Sequence, residues 1–186
     1  MKLLALTLSV LFSASLSAQN SPVPATTDES LVIEVFVPAS PSEVWKAFTT
    51  QQGLSTWLAP DVTVDLRPGG DWMVHFPGST GGGTILSFVP EKELVISALA
   101  PDRFPNVRAA RTRADFSLRP LGAGTLVRLT QTGWRSGSEW DRAYEYLTAG
   151  NAELLATLHR RFVDGPIDWK KEMDTPAPKS TAAPGK

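Results

Sequence analysis

The order of local signals between residues 31 and 76 constrains the fold more than any other feature of the chain. The run Leu31–Val37 is rich in Val, Ile and Phe, which is typical of a strand. A capping box, Ser-Pro-Ser-Glu at Ser40–Glu43, then predicts the start of a helix with proline at its first position. Gly53 separates this helix from a second short one, and the turn Pro68–Gly70 joins two further strand-like runs. The predicted order is therefore one strand, two short helices and an antiparallel hairpin.

The rest of the chain continues this pattern and then changes to a long helix. Four further strand-like runs lie at residues 84–89, 94–99, 111–119 and 125–132. Ser138 is predicted to cap a helix whose apolar residues recur at spacings of three and four as far as Phe162. Gly150 interrupts that helix at a cost of about 1 kcal/mol relative to Ala, which indicates a close approach or a bend. The predicted fold class is α+β, with a curved antiparallel sheet wrapped around a long C-terminal helix.

The two ends of the chain differ in composition from the part between them. Residues 1–18 contain a basic start, a short apolar core and a small-residue region, which together predict a secretory signal peptide. Residues 19–30 are small and polar and are predicted to form a tether. Residues 31–163 are the predicted domain, and residues 164–186 a disordered tail rich in Pro, Ala and Lys, in which Trp169 alone is expected to dock on the domain. A cleaved signal peptide predicts a periplasmic or secreted protein.

Charge and cysteine content exclude several classes of function. The chain has 18 basic and 19 acidic residues and a net charge of −1. This balance argues against nucleic acid or an anionic membrane as a partner, because both bind basic surfaces. Without any Cys, the chain can form no disulfide framework, thiolate nucleophile or thiolate metal site. No segment after the predicted signal peptide is long and apolar enough to span a membrane.

No catalytic set emerges from the sequence. The two histidines, His75 and His159, have no partner at metal-ligand spacing, so neither a metal site nor a cofactor is predicted. His75 lies on a strand whose apolar residues alternate with it, and His159 lies on the polar side of the long helix, so both are expected at the surface. The run Gly78–Gly83 lacks the lysine and the helix of a phosphate-binding loop and is predicted to be a mobile hairpin loop.

Three motifs carry a resemblance to a known superfamily. They are Pro-x-x-Val-Trp-x-Ala-Phe at Pro41–Phe48, Gly-Leu-x-x-Trp at Gly53–Trp57, and Asp-Leu-Arg-Pro-Gly-Gly-Asp-Trp at Asp65–Trp72. On these residues the chain resembles the SRPBCC superfamily (the START and birch-pollen-allergen fold), and in particular relatives of the activator of the heat-shock-protein-90 ATPase. The resemblance extends over about residues 31–163. It implies a helix-grip fold with a cavity between sheet and helix, and the proline-broken segment Pro101–Val107 is expected to border the mouth of that cavity.

Two amides are predicted on faces that should be apolar. Gln131 shares a strand face with Val127 and Leu129, and Asn151 lies within the apolar stripe of the long helix. A buried amide needs hydrogen-bond partners, so each either bonds to backbone or trapped water or orients a ligand. Aromatic residues around the implied cavity are typical of a small-molecule site. The predicted ligand-binding residues are Trp72, Phe88, Gln131, Trp134, Tyr144, Leu147 and Asn151.

Three hypotheses for the function follow. The first is an exported binding protein for a small hydrophobic or amphipathic ligand held between the sheet and the C-terminal helix. The second is a cyclase- or hydrolase-like enzyme acting on a polyketide-like or aromatic substrate in the same cavity, as in relatives. The third is a protein-interaction or chaperone-accessory module, against which the predicted export weighs, since the chaperone of the resemblance is cytosolic and needs ATP. The missing catalytic set favours binding over catalysis.

Overall fold

The computed structural model describes residues 29–76 and 79–174, and in those residues it forms one sheet and five helices. The strands are β1 (Leu31–Val37), β2 (Asp61–Val64), β3 (Asp71–Phe76), β4 (Ser79–Val89), β5 (Glu93–Ala98), β6 (Thr112–Leu121) and β7 (Gly124–Thr132). The helices are α1 (Pro41–Thr49), α2 (Gln51–Leu54), α3 (Pro105–Ala110), α4 (Ser138–Asp164) and α5 (Trp169–Asp174). The strands pair antiparallel in the order β1-β7-β6-β5-β4-β3-β2. This confirms the predicted α+β helix-grip architecture.

Helix α1 begins at the predicted capping box. The Ser40 hydroxyl accepts a hydrogen bond from the backbone N–H of Glu43 at 3.3 Å, and the Glu43 carboxylate accepts one from the backbone N–H of Ser40 at 3.0 Å. Pro41 follows at the first helical position, where the N–H that it lacks would have no intrahelical partner. The start of the helix is therefore determined by three consecutive local signals in the sequence.

Two tryptophans attach the end of α1 to the rest of the domain. Trp57 donates its indole N–H to the carbonyl of Ala47 at 3.0 Å, and Trp72 on β3 donates to the carbonyl of Phe48 at 2.8 Å. Both tryptophans are buried. These bonds satisfy carbonyls at a helix end that have no partner within the helix. The tryptophans of the opening motifs thus contribute to the scaffold.

Strand β4 begins earlier than predicted. The sequence predicted a mobile loop at Gly78–Gly83. In the structure Gly81, Gly82 and Gly83 belong to β4 and pair with Val74, Met73 and Trp72 of β3, respectively. Glycine is disfavoured in strands, but a Cβ added at Gly82 or Gly83 would collide with a backbone carbonyl of the neighbouring strand. Gly82 also has a φ of +97°, which favours glycine. Close approach of three strands therefore requires the glycines.

Two further segments differ from the prediction. Part of the segment expected to be an irregular loop forms the short helix α3. The chain after residue 164 was expected to be disordered apart from Trp169. Trp169 does dock, because its indole donates to the carbonyl of Ser55, but residues Trp169–Asp174 also form α5, and the backbone N–H of Ile167 donates to the carbonyl of Thr56. The predicted signal peptide, most of the tether and residues 175–186 lie outside the described residues. No helix among residues 29–76 and 79–174 is long and apolar enough to cross a membrane.

Helix α4 packs across two separate buried clusters. Leu155 and Leu158, in its C-terminal half, belong to the larger cluster, which also contains the buried residues of α1. Trp140 and Ala143, in its N-terminal half, belong to a smaller cluster that contains Trp134. Both clusters are buried, whereas the inward positions in the middle of the helix are only half-buried. The middle of α4 therefore faces the boundary between the two clusters.

Candidate functional site

A cavity of about 400 Å³ lies at this boundary, between the sheet and the middle of α4. Its deep part consists of buried apolar side chains from β3, β5, β6 and β7, and α4 closes it with half-buried leucines. Glycines at the start of β4 add no side chain and so leave space. The lining includes Trp72, Gly81, Gly82, Ile96, Ala114, Phe116, Leu129, Leu147 and Leu154. Because most of the lining is apolar, the cavity resembles the usual small-molecule site in composition and size.

The two predicted amides meet in this cavity and bond to each other. The Asn151 side-chain amide on α4 donates to Oε1 of Gln131 on β7 at 2.8 Å, and Nε2 of Gln131 donates to the hydroxyl of Thr112 on β6 at 2.7 Å. Gln131 is 3 % exposed and Thr112 4 %, so the chain of hydrogen bonds runs from the buried sheet to the half-buried helix. Both amides line the cavity, and Asn151 keeps a carbonyl oxygen that a ligand could reach.

Four of the seven residues predicted to bind ligand line this cavity: Trp72, Gln131, Leu147 and Asn151. The other three predicted residues pack elsewhere. Phe88 lies near the end of β4 with its ring 6.2 Å from that of Trp45 on α1. Trp134 and Tyr144 pack against each other edge to face in the smaller cluster, at 4.9 Å between ring centroids. The sequence predicted an inward orientation for all of them, but a strand or helix face is longer than the cavity.

The mouth of the cavity contains residues outside the set predicted to bind ligand. Arg103, in the loop before α3, places its guanidinium carbon 4.1 Å from the centroid of the Tyr146 ring on α4. Asp102 beside it forms an ion pair with Arg108 at 2.9 Å. Both loop residues and Tyr146 line the cavity, as does Phe76 on β3. The expectation that this loop borders the cavity mouth agrees with this placement of its first residues.

A contact between α3 and α4 holds this loop in position. The Glu139 carboxylate on α4 accepts hydrogen bonds from the backbone N–H of Asn106 at 2.8 Å and from its side-chain amide at 2.6 Å. Desolvation opposes the ionisation of Glu139, but the hydrogen bonds from Asn106 and Val107 outweigh it and lower the pKa of this carboxyl below its usual value. The contact between α3 and α4 therefore depends on the charged form of Glu139.

Both histidines lie outside the cavity. His75 is 3.2 Å from the Thr63 hydroxyl on the neighbouring strand. His159 is half-buried rather than solvated, and its Nδ1 donates to the carbonyl of Phe36 at 2.7 Å. The cavity lining, as described, includes no histidine and a single carboxylate, that of Asp102. The described part of the chain contains no group of three or more potential metal ligands.

Two other clefts are larger but more polar. One, of about 650 Å³, lies beneath the segment that leads into α5, and nearly half of its lining residues are charged. Another, of about 730 Å³, lies at the start of α4 among arginine, serine and glutamate side chains. Burial of apolar surface is the main source of affinity for small ligands, and polar atoms form a larger share of these two linings than of the first cavity. The cavity under the middle of α4 is therefore the candidate site.

Comparison with known proteins agrees with this architecture. The family model described as Activator of Hsp90 ATPase homolog 1-like protein matches residues 38–162, more than half of the chain. This match confirms the resemblance drawn from the opening motifs. No curated protein matches the chain.

Several solved structures share the fold. The Aha1 dimer from Colwellia psychrerythraea is similar with a TM-score of 0.63 and 20 % identity, over 74 % of this chain and 98 % of that chain. A protein from Mesorhizobium loti has a TM-score of 0.63 and 21 % identity, over 75 % of this chain and 100 % of that chain. CalU16 from Micromonospora echinospora has a TM-score of 0.56 and 24 % identity, over 77 % and 80 %. At such identities the likeness shows the fold alone.

Proposed function

The chain belongs to the family of Activator of Hsp90 ATPase homolog 1-like proteins, and we propose that it binds a small hydrophobic or amphipathic molecule between the sheet and α4. The observation that carries this proposal is the apolar cavity of about 400 Å³ with the bonded pair of Gln131 and Asn151 in its wall. A ligand there would gain about 0.8 kcal/mol for each methylene that it buries. The amides would orient a polar group of the ligand.

An enzyme acting on a polyketide-like or aromatic substrate would use the same cavity. General acid–base catalysis needs a titratable side chain within hydrogen-bond reach of the reacting atoms. The described lining offers Asp102 and Tyr146 for this; Asp102 is paired with Arg108, and the exposed ring of Tyr146 lies against Arg103. The composition of the cavity therefore favours binding without turnover.

We also propose that the protein is exported, on the signal-peptide pattern of residues 1–18. N-terminal sequencing of the mature protein would test this.

Blocking the cavity tests the proposal. The probe is N-phenyl-1-naphthylamine, an uncharged aromatic amine whose fluorescence rises in apolar surroundings. We expect Leu147→Trp to weaken its binding at least tenfold, because Leu147 is half-buried in the cavity wall and the larger ring would occupy the space. The matched control is Leu121→Trp, the same change at a side chain that is 50 % exposed in the β6–β7 hairpin.

The control variant is expected to bind the probe as the unmodified protein does. Far-ultraviolet circular dichroism of both variants would establish that they fold. If the unmodified protein did not bind the probe, or if both variants bound it equally well, the ligand-binding proposal would be wrong.

A further inference from the structure

The mouth of the cavity has one positive charge without a paired negative charge. Asp102 and Arg108 form an ion pair, so their charges compensate each other. Arg108 also donates to the carbonyl of Ala100 and to the Thr80 hydroxyl, which holds the pair in place. Arg103 forms no ion pair with any carboxylate among the described residues. The net charge of the mouth is therefore positive.

The Arg103 guanidinium is held over an aromatic ring at the cavity edge. Its central carbon is 4.1 Å from the centroid of Tyr146 and 5.9 Å from that of Phe104. Contact with the ring faces occupies the flat side of a guanidinium and leaves the N–H donors at its edge available, and these match the geometry of a carboxylate or another oxyanion. Since Arg103 and Tyr146 both line the cavity, these donors lie beside a bound ligand.

We propose that the ligand is an amphipathic organic anion, whose apolar body fills the cavity and whose acid group meets Arg103 at the mouth. This inference rests on the proposed function and adds the ligand's chemical class. The apolar lining supplies most of the affinity, because a solvent-exposed ion pair contributes little by itself. Arg103 supplies discrimination between ligands, since it favours an anion over a neutral or cationic molecule of the same shape.

A cationic ligand would find no available carboxylate among the described residues at the mouth. The Asp102 carboxylate is the only one in the described lining, and Arg108 already binds it at 2.9 Å. An ammonium group would have to displace Arg108 or sit next to Arg103. Like charges at this separation repel each other, so a cation is disfavoured.

A pair of fluorescent probes that differ by one anionic group tests the proposal. The anion is 1-anilinonaphthalene-8-sulfonate, and the neutral probe is the same ring system without the sulfonate, N-phenyl-1-naphthylamine. The preference for the anion is the Kd of the neutral probe divided by the Kd of the sulfonate. We expect this ratio to be about threefold to fivefold higher in the unmodified protein than in Arg103→Gln. Arg103→Lys should keep part of this preference, and the distant Arg119→Gln, which also removes one exposed positive charge, should keep all of it.

The salt dependence gives a second readout. At about 1 M salt, where the screening length is roughly 3 Å, the preference of the unmodified protein should approach that of Arg103→Gln. Equal ratios in the unmodified protein and Arg103→Gln would overturn the anion proposal while leaving cavity binding intact. Displacement of the sulfonate by inorganic phosphate alone would also overturn it, since the apolar body would then be unnecessary. If the unmodified protein bound neither probe, the ligand-binding proposal itself would be wrong.

Discussion

The hydrogen-bonded chain Asn151–Gln131–Thr112 makes a prediction about stability that can be worked out from the structure. Replacing Gln131 by Met keeps a side chain of similar size but removes both hydrogen bonds, at 2.7 and 2.8 Å. The Thr112 hydroxyl, 4 % exposed, then loses the partner that the structure gives it. Asn151 also loses a partner, but it is half-buried beside the cavity, where water can replace Gln131. The cost should therefore come mainly from the Thr112 side of the chain.

The magnitudes follow from the energy of unsatisfied polar groups. A buried polar group left without its partner costs about 1–3 kcal/mol, so we expect Gln131→Met to lower the free energy of unfolding by about 2 kcal/mol. Asn151→Leu leaves Oε1 of the buried Gln131 without its partner, and we expect a loss of about 1–2 kcal/mol. The double variant removes both ends of the Asn151–Gln131 bond at once. It should therefore cost about 1 kcal/mol less than the sum of the two single changes.

Urea unfolding of the unmodified protein, the two single variants and the double variant measures this coupling. In a chain of 186 residues, 1 kcal/mol corresponds to a change of about 2–4 °C in Tm, so thermal unfolding gives an independent reading. The control is Gln52→Met at an exposed position of α2, which should change stability by less than about 0.5 kcal/mol. Effects that add within about 0.5 kcal/mol would refute the reasoning, because the amides would then not interact.

Two further predictions concern α4 and α1. A Cβ added at Gly150 would meet no atom within 4 Å. Gly150→Ala should therefore raise the free energy of unfolding, measured by urea titration, by about 0.4–1 kcal/mol. A lower free energy of unfolding would contradict an ordinary helical backbone at this position. Hydrogen bonds from the Ser40 side chain and backbone lower the pKa of Glu43. Because this pKa is lowered in the folded state, the stabilisation is present above the ordinary value of about 4.3 and is lost as the pH falls through the folded value. The stability advantage over Glu43→Gln should therefore shrink below about pH 4.3, and a constant difference would argue against the carboxylate's role.

Local chemistry made the opening of the fold predictable. The capping box at Ser40–Glu43 and the turn at Pro68–Gly70 are each complete within a few residues, so the sequence alone contains what determines them. The glycine run was different. Its position in a strand depends on the carbonyls of Trp72 and Ser97, which approach Gly82 and Gly83 from the two neighbouring strands. That requirement comes from sheet pairing, which periodicity along one segment does not contain.

The candidate site was predictable only in part, for a related reason. Strand alternation placed Gln131 on the inner face, and helical spacing placed Asn151 on the inward stripe. Their mutual bond depends on how far α4 is shifted along β7, which neither pattern specifies. The segment Pro101–Val107 was expected at the cavity mouth, but nothing in the sequence distinguished Arg103 within it, because a single arginine beside prolines is typical of any exposed loop. Its interest arises from Tyr146, 43 positions later in the chain and 4.1 Å away from its guanidinium.

The cavity exists because α4 is longer than either cluster on which it packs. Its two halves are fixed by separate buried clusters, through Ala143 and Trp140 at one end and Leu155 and Leu158 at the other. Protein interiors are close-packed, so the intervening segment cannot approach the sheet without disturbing both. The Asn151–Gln131 bond spans this gap and supports the helix where apolar contacts are fewest. The same two amides would therefore serve both stability and ligand orientation, so a ligand that competes for Asn151 must contribute enough apolar burial to offset the bond that it breaks.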